Sequence, residues 1–227
     1  MKMLVRFLKQ LRQIALLIAI ALWLPAYVLN VWSTWQLLVL YLAYTLFLIG
    51  SVWNTIATGQ VSQKVESKSV QKELGVSTSL ATVGLWLLHP LAIYDFAHQQ
   101  SLTLILTESI THAIAALLLV SAIVLVHHAT RTLGKFFDRL VLKDDHVLIT
   151  KGIYGTIRHP VYLAYLMLFS GFAMFMQSLY GLILLAFAGG VVFGNHIRVE
   201  EAMMEKRFGS AFREYCAKTK KLIPFIY

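Results

Sequence analysis

Two short stretches of this 227-residue chain bring together the residue types able to carry proton or charge chemistry. The first reads Lys143-Asp-Asp-His146-Val147-Leu148-Ile149-Thr-Lys-Gly152-Ile-Tyr154-Gly-Thr-Ile-Arg158-His159-Pro160-Val161-Tyr162. Proline is well placed in the first turn of a helix, where its missing N–H costs little. The spacing therefore predicts a helix starting at Pro160, with Arg158, His159 and Tyr162 ringing its start. A helix start offers N–H groups without intrahelical acceptors and favours an anion such as a carboxylate. The second stretch is Asn195-His196-Ile-Arg198-Val-Glu200-Glu201. Adjacent carboxylates on a helix point about 100° apart, so at most one is expected to face a given pocket. His196 and Glu200, at i and i+4, share a face. On residue types alone, the first stretch also suits a basic membrane-surface loop anchored by Tyr and His. The second also suits a solvated helix end with incidental charge pairs.

Other ionisable groups are scattered. Glu108 and His112 pair at i, i+4 near the outer end of an apolar run, where an interface position is as suitable as a functional one. His127 and His128 sit at the end of the same run, where a cation complements the helix dipole. His89 precedes Pro90, so a kink with a local polar contact is expected there. Cys216 is the sole cysteine, which excludes an intramolecular disulfide and a zinc site built from several thiolates; no metal site is expected. Walker, G-x-G-x-x-G, H-E-x-x-H and G-x-S-x-G motifs are absent.

The elements that carry these stretches are apolar. Hydrophobic residues make up 58% of the chain and charged ones 14%, and mean hydropathy is +0.69. A soluble domain is nearer half apolar and a quarter charged, so the expected class is a polytopic membrane protein, all-α. Spanning a bilayer takes about 20 mostly apolar residues. Candidate spans are Ile14–Val31, Gln36 to about Ile56, Val76–Phe96, Leu102–Val126, Val161–Met176 and Leu179–His196. That makes six crossings, the last two a helical hairpin turned at Gln177, Ser178 and Gly181. A polar stretch, Gly59–Gly75, separates the second and third. Lys2, Arg6, Lys9 and Arg12 precede the first apolar run like a signal peptide. That run continues through Tyr27 to Val31, so a retained span is expected. From Val199 to Lys218, Met204, Phe208, Phe212 and Tyr215 recur at near-helical spacing, predicting an amphipathic interfacial helix that bends at Gly209.

Charge placement orients this map. The net charge of +9 points to a membrane surface rather than to nucleic acid in a chain this apolar. The predicted external turns, Asn30–Thr34, Ala97–Ser101 and Gln177–Tyr180, contain no Lys or Arg. By the positive-inside rule both termini face the cytosol, as do the two chemistry-bearing stretches. The chain divides into N-terminal transmembrane helices, residues 1–130, and a site-bearing region, residues 131–227, whose polar stretches flank the last hairpin. No internal repeat suggests a transporter built from paired halves.

Taken together, the two stretches resemble a known family. Arg158-His159-Pro160-Val161-Tyr162, a hydrophobic hairpin, then Glu200-Glu201 is similar to the R-H-P-x-Y … E-E signature of isoprenylcysteine carboxyl methyltransferases and phospholipid methyltransferases. The flanks agree: His146-Val147-Leu148-Ile149 with Gly152-Ile-Tyr154 resembles H-x-L-V … G-x-Y, Phe208-Gly209 and Tyr215 match F-G … Y, and Ile223-Pro224 matches the closing I-P. The resemblance covers residues 131–227. It implies an integral-membrane enzyme using S-adenosyl-L-methionine without a Rossmann fold. It implies cofactor contacts from His146, Val147, Leu148, Ile149, Tyr154, His159, Pro160, Val161, Tyr162 and Glu200, with Arg158 ordering the pocket. The expected reaction is in-line methyl transfer to a lipidic or small-molecule acceptor at the cytosolic membrane face, much of it positioning and water exclusion.

The chain departs from the family at one position. Isoprenylcysteine enzymes carry an Arg four residues before the first Glu, where this chain has His196. An imidazole there can take a proton near neutral pH, which suits an amine or thiol acceptor. Readings as a phospholipid N-methyltransferase, a thiol S-methyltransferase or a nicotinamide-dependent lipid or sterol reductase stand beside the prenylcysteine-like one. His196, Arg158 and Glu200 are the expected catalytic group. Nothing in the sequence specifies an oligomeric state.

Overall fold

The computed structural model describes residues 12–13, 15–57, 68–134 and 147–223, with only the backbone path for 51–57 and 68–73. His146, Pro224, the basic residues Lys2, Arg6 and Lys9, and most of the polar loop between the second and third spans lie outside the described residues.

The described chain is helical, with one isolated parallel bridge between Ile157 and Lys220. In order, the helices are α1 (Ala15–Val28), α2 (Trp35–Ala57), α3 (Lys68–His98), α4 (Glu108–Leu133), α5 (Pro160–Phe175), α6 (Leu179–Phe208) and α7 (Ser210–Lys218). Three of these segments, Leu74–His98, Glu108–Leu133 and Leu179–Phe208, are long and apolar enough to cross a bilayer. The chain is an integral membrane protein.

Its boundaries refine the sequence reading. The fourth apolar run starts its α-helix at Glu108, because Ser101–Leu104 form a short 3₁₀ turn after left-handed Gln100 (φ 49°). The break in α3 falls at Gly75 (φ 72°), a conformation only glycine adopts readily. The sixth run does not stop at His196. Its helix continues through Phe208, and the expected tail helix is divided at Gly209 (φ 54°). Hydropathy falls after His196, but Glu, Ala, Met, Lys and Arg are good helix formers, so the helix persists.

The helices approach closely through small residues, as membrane helices do. A Cβ on Gly171 of α5 would lie 3.0 Å from Leu119 Cγ and 3.1 Å from the Ala115 carbonyl of α4. A Cβ on Gly50 of α2 would overlap the His127 imidazole of α4. His127 also bonds its Nδ1 to the Ile123 carbonyl at 2.7 Å, so it is a packing residue.

At the end where α3 gives way to α4 and α5 to α6, a polar clamp joins the turns. Asp95 is 1% exposed. Its Oδ1 accepts the Ser101 N–H at 3.1 Å, and its Oδ2 accepts the hydroxyls of Ser101 at 2.5 Å and Ser178 at 2.7 Å. Ser178 Oγ in turn caps α6 by accepting from Gly181 N. The turn into α6 is completed by Gln177 (φ 50°), whose side chain donates to Thr111. A buried acid is tolerated because three donors meet it. Asp95→Ala is expected to destabilise the protein by about 3 kcal/mol, since those donors lose their acceptor, and Asp95→Asn by less. Thermal unfolding in detergent measures the order wild type, Asn, Ala; coincident melting curves would contradict the clamp.

Candidate functional site

The polar site lies at the opposite end of α5. Pro160 is its first residue, with His159 at the N-cap. The helical ladder begins as Leu163 N–H bonds the His159 carbonyl at 3.2 Å. The extended chain before it pairs with the C-terminal segment: Arg158 N–H donates to the Lys220 carbonyl at 2.8 Å and His159 N–H to the Lys221 carbonyl at 3.1 Å. This places three consecutive chemical groups, Arg158, His159 and, one turn on, Tyr162, against the polar end of α6.

Both acids of α6 meet this corner. Tyr162 Oη donates to Glu200 Oε1 at 2.5 Å. His159 Nδ1 lies 3.5 Å from Glu200 Oε2, and its Nε2 3.2 Å from Glu201 Oε1. Arg158 Nε donates to Glu201 Oε1 at 2.9 Å, and Lys221 Nζ reaches Glu201 Oε2 at 3.2 Å. The expectation that only one of two adjacent carboxylates faces the corner is therefore corrected. The imidazole carries a nitrogen on either side of its ring, so two long side chains diverging from one helix reach it from both flanks.

The electrostatics follow from this geometry. A carboxylate only accepts, so an imidazole between two carboxylates is best matched as the doubly protonated cation. Burial alone would lower the His159 pKa; its hydrogen bonds to Glu200 and Glu201 and their charges outweigh that and raise it. Burial, then the charges of Glu200 and Tyr215, push the Tyr154 phenol well up, so it stays neutral. Burial also raises the Cys216 thiol, so it is not an activated nucleophile.

Arg158 is a tie. Besides Glu201 it donates to the Thr219 carbonyl at 2.6 Å and to the Cys216 carbonyl at 3.2 Å. Tyr215 Oη donates to the Tyr154 carbonyl at 2.7 Å. The segment after α7 is thus bound to the loop before α5.

Of the residues named from sequence, the structure gathers Tyr154, Arg158, His159, Tyr162 and Glu200. Pro160 is buried beneath them and Val161 is half-buried beside them. Val147 is exposed, and Leu148 and Ile149 are half-buried. His196 stands close by, its ring centroid 6.3 Å from that of Tyr162. Its Nδ1 lies 2.7 Å from the Val192 carbonyl, which can only accept, so Nδ1 carries a proton, and in the neutral ring Nε2 is the free acceptor. Lys221 and Thr219 are participants that the sequence did not mark, and Glu201, marked only as the second acid of its pair, joins them. Among the described residues no group of three or more metal-ligating side chains is gathered.

Two cavities flank the cluster. One of about 830 Å³ is lined by Glu201, Arg198, Cys216 and Lys221 on its polar side and by Phe193 and Leu166 on its apolar side. The other, about 320 Å³ and almost wholly apolar, reaches Tyr162 and Phe193 from within the helices. The donor set suits a sulfonium amino-acid nucleoside. Glu200 Oε1 takes only the Tyr162 hydroxyl, which leaves acceptor capacity for an ammonium group. The first turn of α5 supplies donors for a carboxylate.

Fold and cluster together define an integral-membrane helical protein with a charged site where a helix start meets two acids. Residues 110–211 match the family model of the phospholipid methyltransferases. The protein-S-isoprenylcysteine O-methyltransferase of Saccharomyces cerevisiae is 33% identical over 101 residues, 43% of this chain and 42% of that one. That of Schizosaccharomyces pombe is 30% identical over 96 residues, 41% of each. The chain thus spans about two fifths of the length of these curated relatives. The structure of a eukaryotic intramembrane isoprenylcysteine carboxyl methyltransferase superposes with a TM-score of 0.56 over 98% of this chain and 85% of its own, at 19% identity, a likeness of fold. Residues 110–211 thus resemble the phospholipid methyltransferases, and a similar stretch resembles the protein-S-isoprenylcysteine O-methyltransferases.

Two outcomes follow. Arg158→Ala leaves Glu201 with one fewer partner and frees the 216–221 segment; a loss of about 3 kcal/mol is expected, with faster hydrogen exchange at Thr219–Lys221 as the local readout. Protection there equal to wild type would contradict the tie. For pH, His159 has a folded pKa raised above its ordinary 6.5. Its contribution is fully present below 6.5 and is lost as pH rises through the raised value. The melting temperature should therefore fall over that window, and fall less in His159→Gln; parallel profiles would contradict it.

Proposed function

We propose that this chain is an S-adenosyl-L-methionine-dependent membrane methyltransferase, similar to protein-S-isoprenylcysteine O-methyltransferase, acting on a lipid-bearing acceptor at the cytosolic membrane face. The observation that carries the reading is the meeting of the Arg158–Tyr162 corner with Glu200. In this reading the chain crosses the membrane six times, its last two spans form a hairpin, α7 lies in the interface, and both termini are cytosolic. Residues 131–227 hold the cofactor; residues 1–130 embed and flank it.

Bound S-adenosyl-L-methionine supplies an electrophilic methyl group on its sulfonium. Glu200, held by Tyr162 and faced by His159, pairs with the ammonium. The first-turn N–H groups of α5 receive the carboxylate. Arg158 keeps the corner in register by locking Glu201 and the carbonyls of the C-terminal segment. Tyr162 stacks on His159 and packs against Phe193, so it closes the charged side from the apolar cavity and excludes water between them. His196 Nε2 would accept the proton that an amine or thiol acceptor loses on taking the methyl, whose bond to sulfur breaks with its electron pair left on sulfur as a neutral thioether. No arginine stands four residues before Glu200 to hold a carboxylate acceptor.

The test is transfer of labelled methyl from S-adenosylmethionine into a lipid and small-molecule extract, followed by product identification. Label in a lipid-soluble product is expected with the wild type. His196→Ala should lower turnover of amine or thiol acceptors at least about 100-fold. Unchanged turnover in His196→Ala on every acceptor removes the base, and label in no product removes the activity.

A further inference from the structure

The larger cavity, about 830 Å³, runs along a face of α6 that the methyl-transfer reading does not use. Gly190, Gly194 and Arg198 recur every four residues, so they stand in one line along the helix, and all three line this cavity. Two residues along a helix turn about 200°, so Arg198 leaves α6 on the side away from His196 and from Glu200. Neither of those two lines the cavity. The groove is a place of its own.

Its deep half is open. A Cβ on Gly190 or Gly194 would meet no atom of the described residues within 4 Å, whereas one on Gly171 or Gly189 would press on a leucine at 3.0 Å. Gly171 and Gly189 are small because a neighbour needs the room; Gly190 and Gly194 leave room unfilled. Phe187, one turn earlier, and Val191 are exposed beside them. In an integral membrane protein such side chains face hydrocarbon, so the groove opens to lipid.

Its other half is charged. Arg198 stands eight residues past Gly190, about 12 Å along the axis, within the roughly 15 Å of hydrocarbon in one leaflet. Arg213 of α7 and Lys221 of the segment after it line the same end. The acids there are already met: Glu205 by Arg213 at 3.2 Å, and Glu201 by Lys221 at 3.2 Å and by Arg158 at 2.9 Å. Cationic groups therefore outnumber acids, and three of them, from three elements, converge where a lipid headgroup would lie. Guanidinium and ammonium groups in that position suit a phosphate. A second copy of the chain could also cover the glycines, since small residues four apart let membrane helices approach. A two-fold pairing of this face would set Arg198 of one copy beside that of the other, like charge on like. A phosphate neutralises the same charge, so lipid is the better occupant.

We propose that this groove holds one anionic phospholipid, its phosphate among Arg198, Arg213 and Lys221 and an acyl chain along Gly194 and Gly190. The lipid ties α6 to α7 and to the segment that carries Lys221. It is distinct from a methyl acceptor, and the proposal stands whether or not the chain transfers methyl.

The experiment uses the full chain in detergent and a fluorescent phosphatidylglycerol, displaced by unlabelled dioleoylphosphatidylglycerol or dioleoylphosphatidylcholine. The wild type should prefer the anionic lipid about tenfold. Arg198→Gln should cut that preference to about threefold or less. Gly194→Leu, which fills the deep half, should weaken both lipids about tenfold and keep the preference. Equal binding of the two lipids by the wild type, a full preference in Arg198→Gln, or unchanged binding in Gly194→Leu overturns the proposal. So does a dimer, seen by sedimentation, that Gly194→Leu dissociates. Should the variants not accumulate, the wild type decides: a phosphatidylglycerol with a photoreactive acyl chain should label α6 between Phe187 and Arg198, and the anionic competitor should remove that label more effectively than the zwitterionic one. No label in that stretch, or equal removal by both, overturns the proposal.

Discussion

Two neighbouring acids that both turn into one partly buried corner need positive charge to compensate them. Here that requirement is met by one corner of backbone. Arg158, His159 and Lys221 bring their cationic groups to Glu200 and Glu201, so both carboxylates are compensated. The cost of placing such charges at the edge of an apolar bundle ties the start of α5, the polar end of α6 and the segment after α7 to one another. The parallel pairing of Ile157 with Lys220 is the backbone form of the same constraint.

The rest of the molecule holds that corner still. Close approach at Gly171 seats α5 on α4, and the Asp95 clamp joins the far ends of α3 and of α5 with α6. A helix pinned at one end by a buried acid and at the other by a charge cluster has little freedom to slide. Tyr162 then divides the polar side from the apolar one: its hydroxyl serves Glu200 and its ring borders the apolar cavity. A reaction between a water-borne donor and a lipid-borne acceptor needs such a boundary.

Much of this was legible in the residues. Apolar run lengths outlined the helices, Pro160 marked the start of α5, and the ordered motif pieces named the corner and its acid partner. What was not legible has physical reasons. Arg158 is satisfied largely by main-chain carbonyls near position 219, and a carbonyl has no sequence signature. Asp95 reads as an ordinary acid at the end of a span until the two serines that meet it, distant in sequence, are brought beside it. The extension of α6 past His196 was hidden because hydropathy and helix propensity part company there. The joint engagement of Glu200 and Glu201 was hidden because helical spacing describes where side chains leave the axis, and says nothing of how wide a partner they share. His146, prominent in the motif, lies outside the described residues.

The central claim is that Glu200, set by this corner, grips the ammonium of a sulfonium cofactor. Equilibrium binding of S-adenosylmethionine to the wild type and to Glu200→Gln, which keeps size and hydrogen bonding but removes the charge, tests it most directly. Saturable binding by the wild type, weakened about tenfold or more in the variant, is the result this account predicts. Equal affinity in both proteins, or no binding by the wild type, would contradict it.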